Sequence, residues 1–189
     1  MEMTGEQLIP VPQDKVWQGL NDPEVLKACI AGCESIEKVS DNEYKVIIVA
    51  AVGPVKAKFA GKLLLSDLNP PNSYSLSFEG SGGAAGFGKG GAQVSLKTEG
   101  AGTRLSYSAK ASVGGKLAQV GSRLIDGVAR KMADDFFVAF NAKLAGSAGG
   151  GAEDVTVPVV ARKKIHPAWW VAGGVLVALL VYLALQPAH

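Results

Sequence analysis

Cysteine and histidine are nearly absent from this chain of 189 residues, with two of each. Cys29 and Cys33 are too few for a disulfide framework, and His166 and His189 both stand near the far end. With no histidine among the first 165 residues and no GxSxG elbow, nucleophilic hydrolysis and a protein-held metal centre lack their usual apparatus. Two thiols alone are half a zinc site, and Gly32 between them should end any helix they share. Charge is scarce too, at 19% against about 25% in an average soluble protein. A formal net charge of +2 gives no electrostatic case for nucleic acid. No apolar leader follows Met1, so the folded part is expected in the reducing cytoplasm. The length excludes two large domains, and a hydrophobic content of 48% excludes disorder.

What is present in excess is an apolar C-terminus. Residues 168–185 read AWWVAGGVLVALLVYLAL, 18 residues without a charge, which at about 1.5 Å each would span about 27 Å of hydrocarbon. Trp169 and Trp170 stand at one rim and Tyr182 near the other, where amphipathic rings favour the headgroup region. Arg162, Lys163 and Lys164 precede the run and only QPAH follows. The positive-inside bias therefore predicts a single-pass C-terminal transmembrane anchor in the cytoplasmic membrane, with the N-terminal domain in the cytoplasm. Residues 146–167, glycine-rich and then basic, are expected to form a flexible tether whose coil reach is about 25 Å. Apart from the three basic residues before the span and Glu153 and Asp154, every Lys, Arg, Asp and Glu lies in 1–145 and nearly balances there. That domain has no electrostatic reason of its own to bind lipid.

Within 1–145 the hydrophobic period changes twice. A short strand at 4–9 is followed by Pro10 and Pro12, which introduce a helix at 13–20 with Val16, Trp17 and Leu20 on one face. Asp22 before Pro23 caps a second helix through Cys29. From residue 35 the period is two, with strands predicted at 35–39, 43–51, 55–65, 73–78, 92–98 and 103–112, separated by short turn signals. Such connections imply an antiparallel meander. Leu105, Tyr107, Ala109 and Ala111 alternate with polar residues, as do Tyr74, Leu76 and Phe78, so one sheet face is wet and the other buried. Residues 116–144 then carry Leu117, Val120, Leu124, Val128, Met132, Phe136, Phe140 and Leu144 at spacings of three or four, the stripe of one long amphipathic helix laid on the buried face. A curved sheet closes imperfectly round a straight helix, and the pattern leaves open whether the gap is a cavity or a filled core.

Glycines cluster at 80–91. Residues 83–90 imitate a phosphate-binding loop, but Gly90 stands where a magnesium-holding hydroxyl is needed, and 92–96 alternates as a strand rather than opening a helix. Nucleotide binding is therefore not expected. The cluster reads instead as a mobile rim, or simply a loose hairpin, with Phe87 exposed on it as a contact for a partner or a ligand mouth. Tyr44, Tyr74 and Tyr107 could each donate a hydrogen bond into an apolar pocket or reach solvent from the core.

Several local strings resemble the carbon monoxide dehydrogenase CoxG family of the START-like (SRPBCC) superfamily: MTGE (3–6), VW (16–17), LNDPEVLK (20–27), IAGCE (30–34), VGP (52–54), GGAAGF (82–87), GGKLAQ (114–119) and GSRLID (121–126). The resemblance covers nearly all of 1–145. It implies an α+β helix-grip fold, a curved antiparallel sheet around a long C-terminal helix, with an apolar cavity beneath that helix. Phe59, Leu63, Tyr74, Leu76, Phe78, Phe87, Leu105 and Tyr107 would line the cavity from the sheet side. Leu117, Val120, Leu124, Val128 and Met132 would line it from the helix. It also implies service to a molybdenum-containing CO dehydrogenase type of oxidoreductase. The expected role is non-enzymatic: a membrane-tethered carrier of a lipophilic small molecule, a respiratory quinone being the ligand in view, that also recruits the oxidoreductase to the membrane, with no covalently bound cofactor. Two alternatives stay open. One is a dock that only holds the dehydrogenase at the membrane; the other is a cyclase- or hydratase-like enzyme, for which acid-base residues are missing from the apolar faces.

Overall fold

The computed structural model describes residues 1–148; most of the expected tether and the apolar run 168–185 lie outside the described residues. Strand β1 (Glu2–Ile9) is followed by helices α1 (Gln13–Leu20) and α2 (Pro23–Cys29). Six strands come next: β2 (Cys33–Ser40), β3 (Glu43–Val52), β4 (Val55–Asn69), β5 (Ser73–Ser81), β6 (Phe87–Glu99) and β7 (Gly102–Gly114). Helix α3 (Ser122–Ala148) closes the domain. All seven strands form one antiparallel sheet in the order β1-β7-β6-β5-β4-β3-β2. Only β1 leaves sequence order, because α1 and α2 lie between it and β2. Among the described residues no helix is long and apolar enough to cross a membrane.

Local chemistry explains the two short helices. The Asp22 carboxylate accepts from the backbone N–H of Glu24 at 2.9 Å and of Val25 at 3.4 Å, and Pro23 occupies the first turn, where no N–H is missed. Gln13 ties α1 to the sheet, its Nε2 donating to the carbonyls of Pro71 (3.0 Å) and Leu96 (3.2 Å) while its Oε1 accepts from Thr98 (2.8 Å). The fully buried Thr103 donates to the Val11 carbonyl at 2.7 Å. These bonds fix α1 over the ends of β5, β6 and β7.

The glycines that the sequence distributes among strands are places for aromatic rings. Gly5 pairs directly with Tyr107, Gly90 with Phe78 and Gly114 with Phe87, and in each pair a Cβ on the glycine would collide with the facing ring. Phe59 covers Gly82 in the same way. Aromatic side chains over cross-strand glycines cover bare backbone and allow the sheet to curl. The stretch 80–91 is therefore not a loose rim: β5 and β6 stay paired to Ser81 and Phe87, and only the one-turn 3-10 segment Gly83–Ala85 interrupts them. Phe87 is half-buried against Gly114 rather than displayed.

The long helix also departs from expectation. It begins at Ser122, not at 116, since Gly121 has φ of +92° and the preceding Ala118–Val120 is a separate 3-10 turn. Carrying the stripe Leu117-Val120-Leu124 through that break sets the helix phase off by one residue. Ile125 and Ala129 face the core at 2% and 0% exposure, whereas Leu124 is 42% exposed and Val128 half-buried. From Met132 onward the expected and observed faces agree, with Met132, Phe140 and Leu144 buried. The helix continues to Ala148, three residues past the expected end of the domain at 145.

Two alanine substitutions separate packing from conformational entropy. At Gly90 an added methyl meets the Lys110 carbonyl oxygen and the Phe78 ring, so Gly90→Ala should cost about 1–3 kcal/mol. Gly127, inside α3, has nothing within 4 Å of its would-be Cβ, so Gly127→Ala should add roughly 0.5–1 kcal/mol. Urea unfolding of the two variants, followed by circular dichroism, should show shifts of opposite sign.

Candidate functional site

The grip of the sheet on α3 is solid along one half and hollow along the other. In the solid half Phe59, Phe78, Leu117 and Met132 are 1–2% exposed, in one core with Ile48, Ile125 and Ala129. In the hollow half lies an apolar cavity of about 180 Å³, partly open to solvent. Tyr44 and Val46 of β3, Leu63 and Leu65 of β4, Tyr74 and Leu76 of β5, and Ala92 and Val94 of β6 line its floor. Leu105, Tyr107 and Ala109 of β7 and Met3 of β1 extend it. Leu20, Leu26, Ile30 and Ile36 close the end beneath α1 and α2, and Ala133, Phe136 and Phe137 of α3 form the roof.

The hollow follows from small residues on facing elements. Ala92 pairs with Leu76 on one side and Ala109 on the other, Ala109 pairs with Met3, and Ala133 is their counterpart on the helix. A methyl at each of these positions leaves space that a leucine would occupy. The roof is rigid by comparison. Phe136 stacks on Phe140 at 5.4 Å, meets Phe137 edge-on at 5.2 Å, and Phe137 in turn stacks on Tyr107 at 5.7 Å. Trp17 of α1 meets the Tyr74 ring edge-on at 5.6 Å. Such aromatic pairs hold side chains in place beyond what their buried area does.

Of the thirteen residues expected to line the cavity, Leu63, Tyr74, Leu76, Leu105 and Tyr107 do so. Phe59, Phe78, Leu117 and Met132 point inward but fill the solid half. Val120 and Val128 are half-buried at the flank of the core, Leu124 lies on the outside beside the Gly53 turn, and Phe87 is occupied with Gly114. The sequence reading passes over the α2 and β2 contribution and the alanines. Alanine at an inward position of an otherwise bulky alternation is the available signal.

Polar chemistry in the lining is confined to three tyrosine hydroxyls. Burial pushes the Tyr74 hydroxyl far above the ordinary phenol range, with a smaller push from Tyr44. Burial also raises Tyr107, Asp134 adding to the rise and Arg130 opposing it. Both therefore stay neutral near pH 7. Burial likewise raises the Cys33 thiol to about 11, against a smaller lowering by Lys27, and raises Cys29 against the opposing charge of Lys143; neither is a poised thiolate. Among the described residues no three His, Cys, Asp or Glu side chains come together as a metal site would require. At 83–90 the loop leads into strand β6, so no helix N-terminus faces it.

Among the solved structures with a similar fold are three from bacteria. A conserved protein from Geobacillus kaustophilus is 32% identical with a TM-score of 0.73, over 78% of this chain and 97% of that one. A protein from Thermus thermophilus is 18% identical with a TM-score of 0.61, over 79% and 100%. A third, from Rhizobium leguminosarum, is 14% identical with a TM-score of 0.60, over 77% and 95%. The latter two show the fold alone. No curated protein matches the chain. The family model for CoxG, the G component of carbon monoxide dehydrogenase, matches residues 5–145. With its START-like, α+β helix-grip architecture, the chain therefore belongs to the carbon monoxide dehydrogenase CoxG family.

Proposed function

We propose that this protein is a non-enzymatic, membrane-tethered carrier that takes up a lipophilic ring compound, a respiratory quinone above all, and serves a molybdenum CO dehydrogenase-type oxidoreductase. The observation that carries the reading is the hollow half of the grip, an almost wholly apolar cavity in a domain whose other half is packed. Its volume of about 180 Å³ compares with an engineered apolar cavity of about 150 Å³ that stays dry and binds benzene. One ring fits; an isoprenoid tail has to leave through the open side or displace side chains. Apolar surface withdrawn from water contributes about 25 cal/mol per Å², so the cavity lowers the aqueous transfer cost of a molecule that partitions into bilayers. Family membership supports the oxidoreductase as partner. The uncharged 168–185 segment, behind a glycine-rich and basic tether, supports a domain that leaves the bilayer surface while remaining attached to it. A soluble oxidoreductase that reduces a membrane-dissolved acceptor needs such an intermediary. The competing dock reading rests on the same family membership without using the cavity.

Filling the cavity tests its use. Ala133→Leu puts three carbon atoms into the hollow, so stability should change by less than about 1 kcal/mol, against about 1–3 kcal/mol for overpacking a closed core. Binding of a short-chain alkylbenzoquinone, measured by equilibrium titration, should be abolished. Unchanged binding in a folded variant would place the ligand elsewhere. The tether distinguishes carrier from dock. Replacing 149–161 by four residues cuts the full extension of 149–167 from about 65 Å to about 34 Å. In vesicles the dehydrogenase should stay membrane-associated while quinone-linked oxidation falls; preserved oxidation would mean that shuttling is not needed.

A further inference from the structure

The three hydroxyls of the cavity lining are not equivalent. Tyr44 Oη donates to the Asn21 carbonyl at 3.5 Å. Tyr107 is half-buried over Gly5, with Arg130 and Asp134 of α3 close enough to affect its ionisation. Tyr74 is 93% buried, counted from its 7% exposure, and lines the cavity from β5 with its ring fixed by Trp17. Among the described residues no hydrogen-bond partner meets its hydroxyl; Tyr44 of the same lining is near enough to affect its ionisation but is itself bonded to Asn21. Among the described residues the side-chain oxygens sealed from solvent without a partner are those of Asp126 and Asn141, not that of Tyr74, whose hydroxyl therefore opens on the cavity. Phenylalanine would fill the same space, so the oxygen of Tyr74 is unexplained by packing. A partner entering the cavity would satisfy it.

We propose that Tyr74 is the polar handle of the cavity, donating a hydrogen bond to a carbonyl oxygen on the ring of the bound lipophile, so that the site selects acceptor-bearing rings over plain hydrocarbons of the same size. This inference rests on the carrier reading and specifies which end of the ligand is held. A lipophile in hydrocarbon leaves its carbonyl unpaired and gains a bond on transfer, whereas an alkylbenzene gains none. Because burial keeps the phenol neutral, its proton is available at any physiological pH. The cavity of about 180 Å³ has room for one ring beside Tyr74, and its open side leaves a way out for a tail.

The test uses the full chain in detergent with Trp169→Phe and Trp170→Phe, which leaves Trp17, 5.6 Å from Tyr74, as the sole tryptophan. A short-chain alkylbenzoquinone should quench Trp17, and the alkylbenzene of equal chain length should relieve the quenching by competition. Tyr74→Phe should weaken the quinone about fivefold, the effect of one neutral hydrogen bond, and leave the alkylbenzene affinity unchanged. Equal quinone affinity in both proteins, or equal losses for both ligands, overturns the handle while leaving the carrier intact. Absence of quenching in the parent overturns the carrier reading itself. A measurement without the variant guards against its failure to fold: the infrared carbonyl band of bound, isotope-labelled quinone should lie below its position in hexane, and an unshifted band overturns the proposal.

Discussion

Closure of a curved sheet on a single helix is the constraint from which the other features follow. Seven strands present one apolar face to α3, and the helix, about 40 Å long by its rise, is gripped along that face. Where the inward side chains are phenylalanines, as at Phe59 and Phe78, the interior is filled. Where they are alanines, at Ala92 and Ala109 of the sheet and Ala133 of the helix, it is not. The outer face of the sheet makes no comparable demand: its ion pairs, such as Lys62 with Glu43 at 2.9 Å or Arg104 with Glu6 and Glu99, are exposed and contribute little to stability. Volume on the inner face is thus what differs along the grip.

An unfilled apolar volume costs dispersion contacts in the free protein, and a ligand that enters restores them. The aromatic frame around it, with Phe136, Phe137 and Phe140 above and Trp17 against Tyr74 at the side, keeps the walls from collapsing inward. A preformed apolar pocket of this kind loses little on binding. The tyrosine hydroxyls add polarity to this lining without adding charge.

Much of this architecture is legible in the residues. The proline-led and Asp22-capped helices, the two-residue period from 35 onward and the inward stripe from Met132 to Leu144 each have a local cause, and each is found where that cause operates. Failures occur where a local pattern crosses a break. The stripe drawn through Gly121 carries Leu124 and Val128 into the cavity, when a positive φ there restarts the helix with Ile125 and Ala129 inward. Glycines at 80–91 suggest mobility, when their meaning lies in Phe78 and Phe87 on neighbouring strands. Which inward residues enclose space is a matter of summed volumes across elements distant in sequence. No periodicity along the chain reports it, so Phe59 and Leu63, two periods of the same strand pattern apart, fall on opposite sides of the boundary between filled and hollow.

The central claim is that the hollow half of the grip holds a lipophile, and the contents of the purified protein test it most directly. Full-length protein, isolated in mild detergent from cells that make a respiratory quinone, should release on solvent extraction close to one quinone per chain, identified by mass spectrometry. Protein carrying Ala133→Leu, purified in the same way, should release only the detergent background. Equal quinone in both preparations, or none above background in the parent, would contradict the account.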